Sequence, residues 1–337
     1  MIRPETISVI IPTYNPNPDF LERTLKSIDQ QTVQPKDVIV VENGKQGEKT
    51  QEIVEDDFGF DYIWNSKAGA NLARNTGADI AEGDILFFTD DDCILEKDCL
   101  EQHLKTHQEH LCLLGGMVSL RFLSSPPSWM SEPFEHMLAM LDYKEDNVLN
   151  DAIIDITYDK YKYLVSANMS IPQQLFDTVT GFDDSDGYVG KIKLTANDEF
   201  ELISRCRRIN NVKVLFSSYA KIDHLIPKER ITEDYFMRRF YGQAIADAKT
   251  CLKRGEVNEV YPPVDPDDVE TIITNTILRW QFCSNQHETI LSNAKKVKTK
   301  EEMREVTRVY MNCLTEYIRG LKDFMNEHSK ICRYRCG

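Results

Sequence analysis

No apolar run in the 337-residue sequence approaches the roughly 20 residues that cross a bilayer, so no transmembrane segment is expected. The opening Met1-Ile2-Arg3-Pro4-Glu5 has no apolar core and does not read as a signal peptide. Basic residues are in deficit: 40 Lys and Arg stand against 55 Asp and Glu, a formal net charge of -15. A nucleic-acid partner would demand the opposite balance, because phosphate backbones are gripped by cationic surplus. Much of that acidity serves solubility. The rest suits a protein that holds polyanions through a metal ion, since such a site needs carboxylates. The nine cysteines are odd in number and scattered, and fit neither a C-x-x-C pair nor a zinc ligand set. They read as free thiols of a reducing compartment, so a cytoplasmic location is expected, with peripheral membrane contact left open. Glycine-rich phosphate cradles are missing too. There is no G-x-G-x-x-G after the first strand and no G-x-x-x-x-G-K-S/T anywhere. Low-complexity segments and internal repeats are also absent.

Apolar residues at 41% and charged residues at 28% describe an ordinary globular chain with a sizeable core. Its first hundred residues alternate short apolar bursts with polar helical stretches. Strands are expected at 8–11, 38–41, 61–64 and 85–88. Helices are expected from Asn17-Pro18 through Leu21, Leu25 and Ile28, then over about 46–56 and 70–80. That alternation predicts an α/β fold with a mainly parallel sheet flanked by helices. Further strands are expected at 111–118 and 212–218. The stretch 131–160 has weak periodicity and could hold a lid. Helices are expected over 231–254, 267–284 and 288–328, with Pro262, Pro263 and Pro266 as a linker. The division that follows is a nucleotide-binding and catalytic domain over 1–258 and a helical annex over 259–337. Trp129 and Trp280 read as core rather than as sugar platforms.

In a parallel sheet, ligands bind beyond the carboxyl ends of the strands. Three predicted strands end chemically: in Thr13-Tyr14-Asn15, in Glu42-Asn43-Gly44 and in Asp90-Asp91-Asp92. Consecutive carboxylates repel, and a hard divalent cation such as Mn2+ or Mg2+ relieves that repulsion while leaving positions for substrate phosphates. The competing reading is a solvated acidic turn. Arg74 has a guanidinium suited to a pyrophosphate, or is a surface helix charge.

The segments Ser8–Asn15, Val41–Gly44, Gly69–Ala78 and Gly83–Asp92 together resemble the family 2 glycosyltransferases of the GT-A fold, over about residues 6–95 with weaker likeness to about 245. The resemblance implies a nucleoside-diphosphate sugar donor, UDP favoured, and a D-x-D metal motif. By position, Thr13, Asn15 and Glu42 would border the nucleoside, with Pro12, Tyr14 and Asn43 in the same donor-binding segments. The family usually carries Asp where Glu42 stands. Lys67, Asn71 and Arg74 would lie near base and pyrophosphate. Asp90 would face the ribose and also count as a metal ligand, Asp92 would bind the metal, and Asp91 could replace either. Ser166–Ile171 and Gly181–Asp183 resemble the acceptor side. Asn197-Asp198-Glu199-Phe200-Glu201-Leu202 with Arg205 resembles the acidic pair that supplies a general base. Glu199 takes that role by position, and Asp198 remains its alternative. Such a base is needed because a hydroxyl is a poor nucleophile until its proton is taken. Related enzymes can place a His at the metal or diphosphate near His224; a purely structural His is the alternative.

The function implied is metal-dependent, inverting transfer of a sugar to a hydroxyl of a growing glycan or glycolipid. Three rivals stand beside it. An aspartyl-nucleophile hydrolase wants D-x-D-x-T/V after strand one. A nucleotidyltransferase wants a Gly-rich basic loop there. A non-catalytic sugar- or nucleotide-binding scaffold would need no base. The sequence is silent on oligomeric state.

Overall fold

The computed structural model describes residues 4–130, 132–143, 152–159, 162–184, 198–253, 305 and 308–323. These belong to two compact units, Met1–Arg121 with Ala139–Val189 and Asp198–Leu225, and Phe122–Leu138 with Gly190–Asn197 and Ile226–Gly337.

The first unit is built on strands β1 (Ile7–Thr13), β2 (Val38–Asn43), β3 (Asp61–Asn65) and β4 (Ile85–Phe88), all parallel in the order β3-β2-β1-β4. β1, β2 and β4 are buried at every position, as strands covered on both faces must be. Helix α1 (Pro18–Asp29) begins where expected. Asn17 caps it by accepting from the Asp19 amide at 3.0 Å, Pro18 occupies the first turn, and Leu21, Leu25 and Ile28 face inward. The polar helix expected over 46–56 is a short α2 (Glu48–Gln51) running into a π turn at Glu52–Asp57. Helix α3 (Ala70–Ile80) packs on β1 and β2. At Gly77 that approach is so close that a Cβ would lie 2.6 Å from the Ile10 side chain.

Beyond β4 the sheet turns antiparallel. β5 is Cys93–Leu95, β6 Cys112–Phe122, β7 Ile153–Asp155, β8 Met169–Pro172 and β9 Lys213–Ile226. The order runs on as β4-β8-β6-β9-β5, with β7 also on β9. The sheet is therefore mixed, its parallel half being the one read from the sequence. Helices α4 (Cys99–Glu109), α6 (Gln173–Thr178) and α7 (Asp198–Cys206) complete the unit. Behind the sheet lies a buried polar network. His103 meets Ser170 Oγ at 2.6 Å and Asn168 Oδ1 at 2.9 Å, and His107 meets Ser170 Oγ at 2.7 Å. Asn168 donates to the carbonyls of Met117 and Ala220 at 2.9 and 3.0 Å.

The second unit holds α5 (Glu132–His136), α8 (Glu233–Lys253) and a helical stretch over 308–323. Trp129 is core there, edge-on to Phe134 and Phe236 at ring separations of 5.3 and 5.7 Å. Arg308 forks onto Glu233 at 2.9 and 2.6 Å. The 258/259 boundary, Trp280 and the helix expected over 267–284 lie outside the described residues. Within 131–160 the described parts are α5, a bridge between Val118 and Leu141, and β7.

Candidate active site

Strand register assembles the rim. The parallel pairing of β1 with β2 aligns Thr13 with Glu42, so Thr13-Tyr14-Asn15 and Glu42-Asn43-Gly44 leave the sheet side by side. β8 runs antiparallel to β4 with Met169 opposite Phe88. The 3-10 turn at Ser166–Asn168 that precedes β8 thus sits beside the end of β4, from which Asp90-Asp91-Asp92 emerge. On the other flank, β5 pairs with β9 so that Cys93 faces His224. His224 was expected just after a strand ending at 218. It lies inside one, because β9 continues to Ile226 with Ala220, Ile222 and His224 on its buried face.

The three aspartates go three ways, which keeps like charges apart. Asp90 pairs with Arg74 Nη2 at 3.2 Å and keeps a third of its side chain exposed. Asp91 accepts a short hydrogen bond from the Thr13 hydroxyl, while its carbonyl accepts from Thr24 Oγ1 at 3.0 Å. Asp92 is buried, with His224 Nε2 3.2 Å from its Oδ1 and the Cys93 thiol 4.0 Å from the same oxygen. Desolvation pushes the Asp90 carboxyl above its ordinary value. Asp92 and Glu199 add to that, and Arg74 and His224 oppose it. Asp92, Arg74 from α3, Glu199 from α7 and His224 from β9 are therefore all within electrostatic reach of Asp90.

Arg74 is itself buried, its guanidinium 5.4 Å from the centre of the Phe182 ring and 3.2 Å from Asn71 Oδ1. Asn71 donates to the Asp183 carbonyl at 2.8 Å, and Asn75 exchanges two 2.9 Å bonds with the Phe182 backbone. Helix α3 thus clamps the 181–183 segment that the sequence placed on the acceptor side.

On the donor side, Asn43 is a brace. It donates to the Thr13 carbonyl at 2.8 Å and accepts from the Gly69 amide at 2.9 Å, tying β1, β2 and the start of α3 together. Glu42 is buried, and its carboxylate receives the Gly47 amide at 2.9 Å, Thr50 Oγ1 at 3.1 Å and Tyr62 OH at 2.6 Å. It fixes the loop after β2. Pro12 is buried within β1, while Tyr14, Asn15 and Lys67 are exposed. Asn15 takes the left-handed conformation, φ 49°. The Tyr14 ring lies over Gly44, which at φ 94° has the freedom that turn requires.

Glu199, on the first turn of α7, accepts from the Ser166 amide at 3.0 Å and its hydroxyl at 2.7 Å, both through Oε1. The Asp198 side chain lies outside the described residues. Arg205 pairs with Glu201 one turn on and donates to the Gly181 carbonyl at 2.6 Å. Sequence reasoning missed Cys93 and the clamp role of Ser166. The signals available were the Cys directly after the third Asp and the alternation over 219–224.

One donor atom each from Asp92, Cys93 and His224 falls within 4.8 Å of the others. A carboxylate oxygen and an imidazole nitrogen brought together in a buried site fit a divalent ion.

The sequence profile described as Glycosyl transferase family 2 matches residues 8–172. Glucosyl-dolichyl phosphate glucuronosyltransferase of Haloferax volcanii is 22% identical over 245 residues, covering 70% of this chain and 74% of that protein. GalNAc(5)-diNAcBac-PP-undecaprenol beta-1,3-glucosyltransferase of Campylobacter jejuni is 34% identical over 91 residues, 26% of this chain and 29% of that one. The crystal structure of GalNAc-T7 with UDP, GalNAc and Mn2+ superposes with TM-score 0.50 at 12% identity, covering 82% of this chain and 55% of that one. The chain thus spans about three quarters, under a third and about half of these relatives.

Proposed function

We propose that this chain, whose residues 8–172 match the Glycosyl transferase family 2 model, moves a sugar, with inversion, from a nucleoside diphosphate to a glycan or glycolipid hydroxyl. The observation that carries this reading is the pairing of Asp90 with Arg74 and of Asp92 with His224 just after β4, with Glu199 in electrostatic reach of Asp90. Glu199 takes the hydroxyl proton as the acceptor oxygen bonds to the anomeric carbon and the bond to the diphosphate breaks. Its two bonds from Ser166 hold the carboxylate in place for that transfer. Asp198 is the alternative base. Asp92 and His224 would hold a divalent ion, Mn2+ or Mg2+, which supplies a Lewis acid for the departing diphosphate. Arg74 holds Asp90 for the donor ribose, and Thr13, Tyr14, Asn15 and Lys67 line the nucleoside side.

A UDP-sugar is the favoured donor. The names of the Haloferax and Campylobacter relatives favour a lipid-linked acceptor. The proposed location is the cytoplasm, with peripheral contact to the membrane that carries such an acceptor. No helix among the described residues is long and apolar enough to cross a bilayer. The annex over 259–337 would serve acceptor choice. The deciding experiment combines calorimetry of UDP, GDP and dTDP, with and without Mn2+, with turnover of D92N and E199Q. Metal-promoted nucleotide binding is expected in the wild type and lost in D92N. E199Q is expected to keep donor binding and lose about 100- to 10,000-fold in kcat. Full turnover in either variant would overturn the assignment of that residue.

A further inference from the structure

The thiol of Cys93 has no place in the chemistry above, yet it lies with Asp92 and His224. Its position is set by the sheet. Cys93 opens β5 directly after Asp92 and pairs across to His224 in β9, so thiol and imidazole share a face. Both approach the same atom, Asp92 Oδ1, from 4.0 Å and 3.2 Å respectively. The Thr89 hydroxyl, fully buried, is a further polar neighbour of the sulfur. All three donor residues are themselves buried.

Bond lengths decide whether one ion could meet all three. A tetrahedral metal about 2.3 Å from sulfur and about 2.0 Å from nitrogen or oxygen holds sulfur roughly 3.5 Å from the other donors, and nitrogen roughly 3.3 Å from oxygen. The Asp92–His224 separation, 3.2 Å, already matches, and the Asp92–Cys93 separation, 4.0 Å, has roughly half an ångström to close. The Cys93–His224 separation is at most 4.8 Å, so closing it takes roughly 1.3 Å or less of side-chain movement. A carboxylate, a thiolate and an imidazole make a three-donor set that leaves another coordination position for substrate. Hard Mg2+ gains little from sulfur. Zn2+ and Co2+ gain much.

We infer that Cys93 is a third protein ligand of the ion at Asp92 and His224, and that it biases this site toward thiophilic divalent ions such as Zn2+ and Co2+. This rests on the metal reading of the rim and sharpens it. On binding, the thiol gives its proton to solvent and the sulfur donates its electron pair to the ion, with no change of oxidation state.

The test needs no substrate. Full-length protein stripped of metal is titrated with Co2+ alone and followed by absorption, in the wild type and in C93S, C93A and D92N. Circular dichroism and melting confirm that each variant is folded. The wild type is expected to show a thiolate-to-cobalt charge-transfer band in the near ultraviolet at one ion per chain. Both Cys93 variants are expected to lose that band, to bind Zn2+ at least ~10-fold more weakly, and to keep their Mn2+ affinity. Cobalt bound in the wild type without the band, or a band that survives in C93S, overturns the role of Cys93 and leaves the carboxylate–imidazole reading standing. Equal cobalt binding by wild type and D92N, or none by either, overturns both.

Discussion

At the scale of single residues, the site depends on where each carboxylate is anchored. Among the described residues, Glu199 is held from Ser166, through one amide and one hydroxyl. Hydrogen bonds to charged groups contribute about 1.5–3 kcal/mol. S166A keeps the amide and removes the hydroxyl. Its kcat is expected to fall about tenfold or more with the donor KM unchanged, checked by steady-state kinetics against wild type. A loss confined to KM would mean that Ser166 touches substrate instead of aiming the base. The aspartates after β4 were conspicuous in the sequence, because three in a row follow a wholly apolar strand. Their separate fates were not. Nothing local indicates that Asp90 turns to Arg74, Asp91 to Thr13 and Asp92 to His224, since each partner is remote in sequence. Glu42 is the clearest instance of that limit. Its place at a strand end is plain in the sequence, while its bonds from Gly47, Thr50 and Tyr62 are not.

At the scale of elements, legibility followed periodicity. β1, β2 and β4 are built on the apolar runs Val9–Ile11, Val38–Val41 and Ile85–Phe88, and α1 has a cap, a proline and a regular buried face, so all four were plain. Helix α4 was not read from the sequence. Its buried face includes His103, Thr106 and His107 beside Leu100 and Leu104, and polar residues in the core erase the amphipathic signal. β9 was cut short for a related reason. Its first part is buried on both faces over Val214–Ser217, and then it switches to strict alternation. The antiparallel half leans on Gly116 in β6. A Cβ there would lie 2.2 Å from Asn168 Nδ2 and 2.4 Å from the Ala220 carbonyl oxygen. G116A is therefore expected to cost roughly 2–4 kcal/mol, through crowding and loss of the buried Asn168 bonds. Urea unfolding should show a lower midpoint with an unchanged slope. An unaltered midpoint would mean that the strands yield more easily than their packing implies.

At the scale of the whole molecule, the buried histidines set the response to acid. Burial pushes His103 from 6.5 down to about 4, and burial with the neighbouring His103 charge pushes His107 to about 3. Between those values and 6.5 the unfolded chain binds protons that the folded chain refuses. Stability is therefore complete above about pH 6.5 and falls as pH drops toward 4. The shift of His103 alone corresponds to roughly 3 kcal/mol. Melting temperature measured from pH 7.5 to 4.5 should fall steeply below 6.5, and less so in H103Q relative to that variant's own value at pH 7.5. A flat profile would show the network hydrated or open. The parallel half of the sheet was visible at this scale because its four strands alternate with helices, a pattern that dictates parallel pairing. The pairing of the antiparallel half was not, although strands at 111–118 and 212–218 were expected, since nothing local announces that β8, β6, β9 and β5 lie side by side.

The three-residue turn Ser166–Asn168 has one end in the cleft and the other in the interior. Ser166 grips Glu199, and two residues later Asn168 is bound by His103 and by the carbonyls of Met117 and Ala220. The proposed base thus stands on a post sunk into the foundations. Its aim belongs to the scaffold and cannot drift independently. Any change of acceptor over evolutionary time has to be written into the surrounding segments, with the post left where it is.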